Sequence, residues 1–103
     1  MVKRGEVWWY EPPWAKRRPV CILTRDHAVA VLQSLLVIPA TSVIRGAATE
    51  VKLDEDDGMP RECVLSLDAI WSVQKSLLVE RLTSLTPMRM HEVCVALRTA
   101  TGC

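Results

Sequence analysis

Apolar residues in this chain come in short runs separated by proline, glycine and charged residues, and only the last segment shows a helical period. The runs are Val7–Tyr10, Val20–Thr24, Leu35–Ala40, Thr49–Leu53, Cys63–Leu67, Ala69–Val73 and Leu77–Leu85. Runs of this length with turn residues at their ends read as strands. Pro39 closes its run, which suits a strand end or a position whose nitrogen faces away from the ladder. His27–Leu32 has room for one or two helical turns, and Asp57-Gly58 supplies a turn between two strands. In the last segment, Thr86 can cap and Pro87 suits the first helical position. Met90, Val93, Cys94 and Leu97 then recur at helical spacing, and Gly102 stands just past the end. That is one amphipathic helix of about four turns. The pattern predicts a mainly β single domain over residues 1–103, with one C-terminal helix packed on a small barrel or strongly curled sheet.

The net charge is only +1, so composition does not mark a wholly basic protein. Its distribution is uneven. Met1–Arg25 holds six basic side chains against two acidic ones, whereas Glu50–Asp57 holds five acids against Lys52. This points to a localised basic site. The acidic run Asp54–Asp57 reads as a solvated loop on a face turned away from nucleic acid. Lys3, Arg4 and Glu6 interrupt the stretch where a secretory signal needs apolar residues, and no run reaches membrane-spanning length. The chain is read as cytoplasmic, with no membrane association. Cys21, Cys63, Cys94 and Cys103 lack C-x-x-C spacing, and only His27 and His91 could join them, so no metal or other cofactor is expected.

Lys16-Arg17-Arg18-Pro19 crowds three positive charges at the entrance of an apolar strand. One reading is a solvated turn. The other starts from Pro19, which biases Arg18 toward extended geometry and fixes the direction of its side chain. A second polar cluster, Thr41-Ser42 followed by Arg45, stands at the exit of Leu35–Ala40. Antiparallel pairing of these two strands brings Arg18 beside Thr41, and an arginine fork next to a hydroxyl suits a phosphate.

Five segments in order, RGEVWW (4–9), KRRPV (16–20), VIPATS (37–42), CVLSLDAIWSVQKSLL (63–78) and LTPMRMHEVCVALRTATG (85–102), resemble the MazF/PemK toxins of bacterial toxin-antitoxin systems. The resemblance implies a small SH3-like barrel, a homodimer, and metal-independent endoribonuclease cleavage of single-stranded RNA. It makes Arg18 and Thr41 the catalytic pair. It also implies an antitoxin partner with an acidic or amphipathic tail that occupies the basic groove. Trp14, Lys16, Arg17, Thr24, Arg25, Ser42 and Arg45 are the candidate RNA-binding residues. Trp14 is placed to stack on a base, although Pro12 and Pro13 beside it equally suit a stiff loop anchor. His27 has the right ordinary pKa for a base, and an unemployed loop histidine is the plainer reading. Trp71 reads as core or interface. The loop Glu11–Lys16 is shorter than in many relatives, and Ala69 and Trp71 replace the glutamine and arginine common there. Two other readings stay open: a gyrase poison of the CcdB type, which shares the fold but uses a tryptophan near the end of its last helix, and a non-catalytic RNA-binding module.

Overall fold

The computed structural model describes residues 1–103. Its centre is β2 (Arg18–Ile22) and β3 (Ser34–Thr41), whose middles are covered on both faces. Val20, Ile22, Leu35 and Val37 enter one apolar cluster with Tyr10, Val73 and Leu78. Cys21, Ile38 and Ala40 point the other way, into a larger cluster with Val7, Leu53, Leu65 and Val93. Double burial explains why these strands read as continuous apolar runs instead of alternating ones.

β1 (Glu6–Tyr10), β4 (Glu50–Leu53), β5 (Cys63–Ser66), β6 (Trp71–Gln74) and β7 (Leu78–Ser84) complete the seven strands. All pairings are antiparallel. The order is β4-β5-β3-β2-β1-β7, with β6 also paired to β3. The sixth run starts later than its sequence suggests because Leu67–Ala69 forms a 3-10 turn. β3 serves two ladders along one edge: Ser34–Val37 pairs with β6, and Ala40–Thr41 with β5. Pro39 sits at the changeover, inside the strand and not at its end, where neither ladder asks for its missing N–H. The sheet curls into a small SH3-like barrel.

α1 (Asp26–Val29) is a single turn that begins one residue before the region expected to be helical, His27–Leu32, and ends within it. α2 (Pro87–Thr101) follows its sequence signals closely. Thr86 Oγ1 accepts a hydrogen bond from the Arg89 amide at 3.2 Å. At the other end Gly102 adopts φ 73° and its N–H donates to the Arg98 carbonyl at 2.8 Å. Val93 and Ala96 are buried beneath the helix, flanked by Met90 and Leu97. No helix is long and apolar enough to cross a membrane.

The acidic run is not a simple solvated loop. Asp54 caps a 3-10 turn over Glu55–Asp57, and Gly58 follows at φ 89°. The Asp57 side chain is only 10% exposed and receives Arg89 Nε at 2.9 Å and a terminal guanidinium nitrogen at 3.2 Å. Burial alone would raise the Asp57 pKa, but the Arg89 and Asp54-amide hydrogen bonds outweigh it and hold the carboxyl below its ordinary value. The same pairing holds the Arg89 guanidinium above its own.

Candidate functional site

The β2–β3 register runs Val20↔Pro39, Cys21↔Ile38 and Ile22↔Val37. Continued two residues further, it sets Arg18 opposite Thr41 with both side chains on the same face. This is the adjacency expected from the sequence. Arg18 belongs to β2, where it also pairs with Tyr10 of β1, so its backbone is held from the other side as well.

Arg18 and Thr41 line an open cavity of about 640 Å³ together with Arg17, Ser42, Cys63 and Arg61. A neighbouring cavity of about 540 Å³ shares Arg17 and Arg18 and adds Lys16, Trp14, Tyr10 and Trp71. No carboxylate or histidine lines either one. The field across both is therefore set by cations and hydroxyls.

Two of the three cations between β1 and Pro19, Arg17 and Arg18, lie against aromatic rings. The Arg17 guanidinium lies 4.1 Å from the Trp9 ring centroid and 4.0 Å from a Glu11 oxygen. Arg18 lies 5.1 Å from the Trp71 ring, which stands edge-on to Tyr10 at 6.2 Å. The ring contacts restrict the arginines without neutralising them. Thr41 Oγ1 accepts from the Val43 amide at 3.2 Å, which leaves its O–H free to donate into the cavity. Burial pushes the Cys63 thiol up, so it faces the cavity uncharged.

The structure thus gathers Arg18, Thr41, Ser42, Arg17, Lys16 and Trp14 into two adjoining cavities. Three other expected residues lie elsewhere. Thr24 is buried outside both cavities, and its hydroxyl accepts from the Leu36 amide at 2.7 Å, bracing two chain segments. Arg25 is the exposed cap residue of α1 and lines a separate depression with Arg4. Arg45 is exposed in a loop whose amides converge on the Glu50 carboxylate, outside both cavities. His27 is exposed on α1 and also lies outside them.

Sequence reasoning missed Arg61, which sits in a polar loop with no local signal. Of the two places read for Trp71, core or interface, its 38% exposure excludes the core, and its ring lies under Arg18. The alternation of Tyr10 and Trp9 on β1 was the available clue, because it put one aromatic on each side of the basic segment.

Comparison with known proteins gives a consistent answer. Residues 3–101 match the family described as PemK-like, MazF-like toxin of type II toxin-antitoxin system. The chain is 46% identical over 101 residues to the probable endoribonuclease MazF5 of Mycobacterium tuberculosis, covering 97% of this chain and 93% of that protein. Its fold superposes on the M. tuberculosis toxin MazF-mt6 with TM-score 0.86 and 28% identity, covering 94% of this chain and 96% of that one. An endoribonuclease solved with its cognate antitoxin, from a mycobacterial species, matches with TM-score 0.87 at 22% identity, covering 99% and 96%. The chain belongs to the PemK/MazF toxin family of type II toxin-antitoxin systems.

Proposed function

We propose that this protein is a single-domain, homodimeric endoribonuclease toxin that cuts single-stranded RNA at short sequences in the cytoplasm, without a metal, and so inhibits translation and growth. One observation carries the reading: Arg18 and Thr41 line the same cavity, with Arg17 and Arg61 and no carboxylate. The relative named above is a probable endoribonuclease, and the activity is extended from it to this chain.

The chemistry uses groups the substrate already carries. The ribose 2′-oxygen attacks the adjacent phosphorus as its proton leaves. The P–O5′ bond then breaks and the 5′-oxygen takes up a proton, giving a 2′,3′-cyclic phosphate and a 5′-hydroxyl. Charge grows on the phosphorane oxygens, which is where a fixed guanidinium acts most strongly. Arg18 takes that role. A guanidinium keeps its proton, which makes it a stabiliser of charge and a poor base. Thr41, with its oxygen already engaged by Val43, donates its O–H to a phosphate oxygen. With no histidine or carboxylate lining the cavity, the acceleration rests on orientation and charge stabilisation. Arg17, Lys16 and Ser42 bind flanking groups, and Trp14 stacks on a base.

A structural relative was solved with its cognate antitoxin. An antitoxin for this chain would compete for the same arginines with an acidic or amphipathic tail that orders on binding.

The test is cleavage of mixed cellular RNA in excess EDTA, with Arg18→Ala in parallel and the new 5′ ends mapped. The expected result is cuts bearing 5′-hydroxyls at a recurring short sequence, slowed by at least roughly 100-fold to 1,000-fold in the folded variant. Normal activity of folded Arg18→Ala would remove Arg18 from its role. No cuts by folded wild-type dimer would overturn the nuclease reading.

A further inference from the structure

Three arginines line the Arg18–Thr41 cavity, and the third, Arg61, comes from a different part of the chain. It lies between β4 and β5, in the loop that follows the Asp54-capped turn. That loop is held firmly. Asp57 is pinned by Arg89, the Thr83 hydroxyl donates to the Asp57 carbonyl at 2.8 Å, and the Met59 amide donates to the Asp54 carbonyl at 3.3 Å. Met59 is 3% exposed, with its side chain in the larger core cluster. Pro60 then fixes the backbone at the point where the chain leaves the core. Arg61 is thus an exposed cation mounted on a stiff, internally anchored loop.

Arg61 is also unspent. Arg17 stacks on Trp9 beside Glu11, and Arg18 on Trp71, whereas Arg61 pairs with no carboxylate, its neighbour Glu62 included. An unpaired guanidinium in a pocket free of carboxylates is suited to an anion with planar acceptor pairs. At about 640 Å³ the cavity is much larger than one phosphate group. With the scissile phosphate on Arg18 and Thr41, it has room for part of the next nucleotide.

We propose that Arg61 forms a second phosphate subsite, taking the phosphodiester adjacent to the scissile one. The inference rests on the ribonuclease reading and adds a requirement to it: the RNA must carry a charged phosphate beyond the bond that is cut. Arg61 is then a binding and register-setting residue. The stiffness of its mounting fixes how far the second phosphate sits from the first.

The experiment uses the full chain and a short RNA containing the mapped cleavage sequence, in which the phosphates on either side of the cut are replaced singly by uncharged methylphosphonates. One of the two replacements should lower kcat/KM of wild type by about 10-fold or more. The same replacement should have no further effect in Arg61→Ala, and Arg61→Lys should recover part of the loss. Binding of the unmodified RNA by Arg61→Ala should lose about 0.7 from the slope of log affinity against log salt, the value for one single-strand phosphate contact. Unchanged kcat/KM and salt slope in folded Arg61→Ala, or independent effects of variant and methylphosphonate, would overturn the subsite. The two readings fail separately. Wild type that binds the RNA without cutting it sinks the nuclease and leaves the salt slope to decide the subsite, and wild type that neither binds nor cuts sinks both.

Discussion

The Arg18 guanidinium carbon lies 5.1 Å from the centre of the Trp71 ring, so the residue proposed to stabilise the transition state leans on an aromatic from β6. Removing the ring frees the side chain without removing its charge. Trp71→Ala should slow cleavage by about 2-fold to 30-fold, the range spanned by exposed to desolvated cation–π contacts. Trp71→Phe should recover most of it. Steady-state cleavage in EDTA is the measurement, with thermal unfolding as the control.

Thr41 tests the hydroxyl alone. Thr41→Val keeps the branched shape on β3 but deletes the O–H, and should cost about 10-fold or more in kcat/KM. The loss should stay smaller than that of Arg18→Ala. Thr41→Ser should retain activity. Equal rates for Thr41→Val and wild type would leave phosphate contact to the arginines.

Asp57 makes the protein acid-sensitive in a defined direction. Its folded pKa lies below the unfolded value, so the Arg89 contact contributes stability at neutral pH and loses it as pH falls below about 4 toward the folded pKa. Asp57→Asn should destabilise by about 1.5 to 3 kcal/mol near pH 7, the range for hydrogen bonds to charged groups. Urea unfolding at a series of pH values should show the gap to wild type closing in acid. Glu6 should keep some acid dependence in the variant. Burial raises its pKa, but hydrogen bonds from Trp8, the Lys3 amide and Arg81 pull it below the ordinary value.

Two glycines with similar backbone angles should behave differently. Gly58 and Gly46 have φ 89° and 74°. An added methyl at Gly46 meets nothing within 4 Å, whereas at Gly58 it collides with the Thr83 side chain. Gly46→Ala should cost about 1 to 2 kcal/mol from the left-handed backbone alone. Gly58→Ala should cost more, with a larger fall in thermal midpoint. Because Gly58 lies in the loop that carries Arg61, its variant should also weaken RNA binding at temperatures where the fold persists.

What could be read in the sequence was whatever depends on near neighbours. Strand runs, the Thr86 and Gly102 signals and the direction imposed by Pro19 are local, and the Arg18–Thr41 adjacency needed only the antiparallel pairing of two consecutive strands. The surroundings that were not legible depend on distant partners. Thr24 resembles an exposed hydroxyl after an apolar strand until Leu36 presents an amide to it. Asp57 resembles a solvated acid until α2 brings Arg89 against it. Arg61 has no periodicity to mark it, and its place follows from the burial of Met59 two residues earlier.

The division of β3 between two ladders has a further consequence. Its first half is tied to β6, which carries the Trp71 under Arg18, and its last two residues to β5, which follows the Arg61 loop. The two sides of the Arg18–Thr41 cavity therefore belong to separate hydrogen-bonded neighbourhoods joined through one strand at a proline. Partial melting of the β4–β5 hairpin would misalign Thr41 while Arg18 kept its seat. Heat or denaturant would then silence the toxin before the bulk of the barrel came apart.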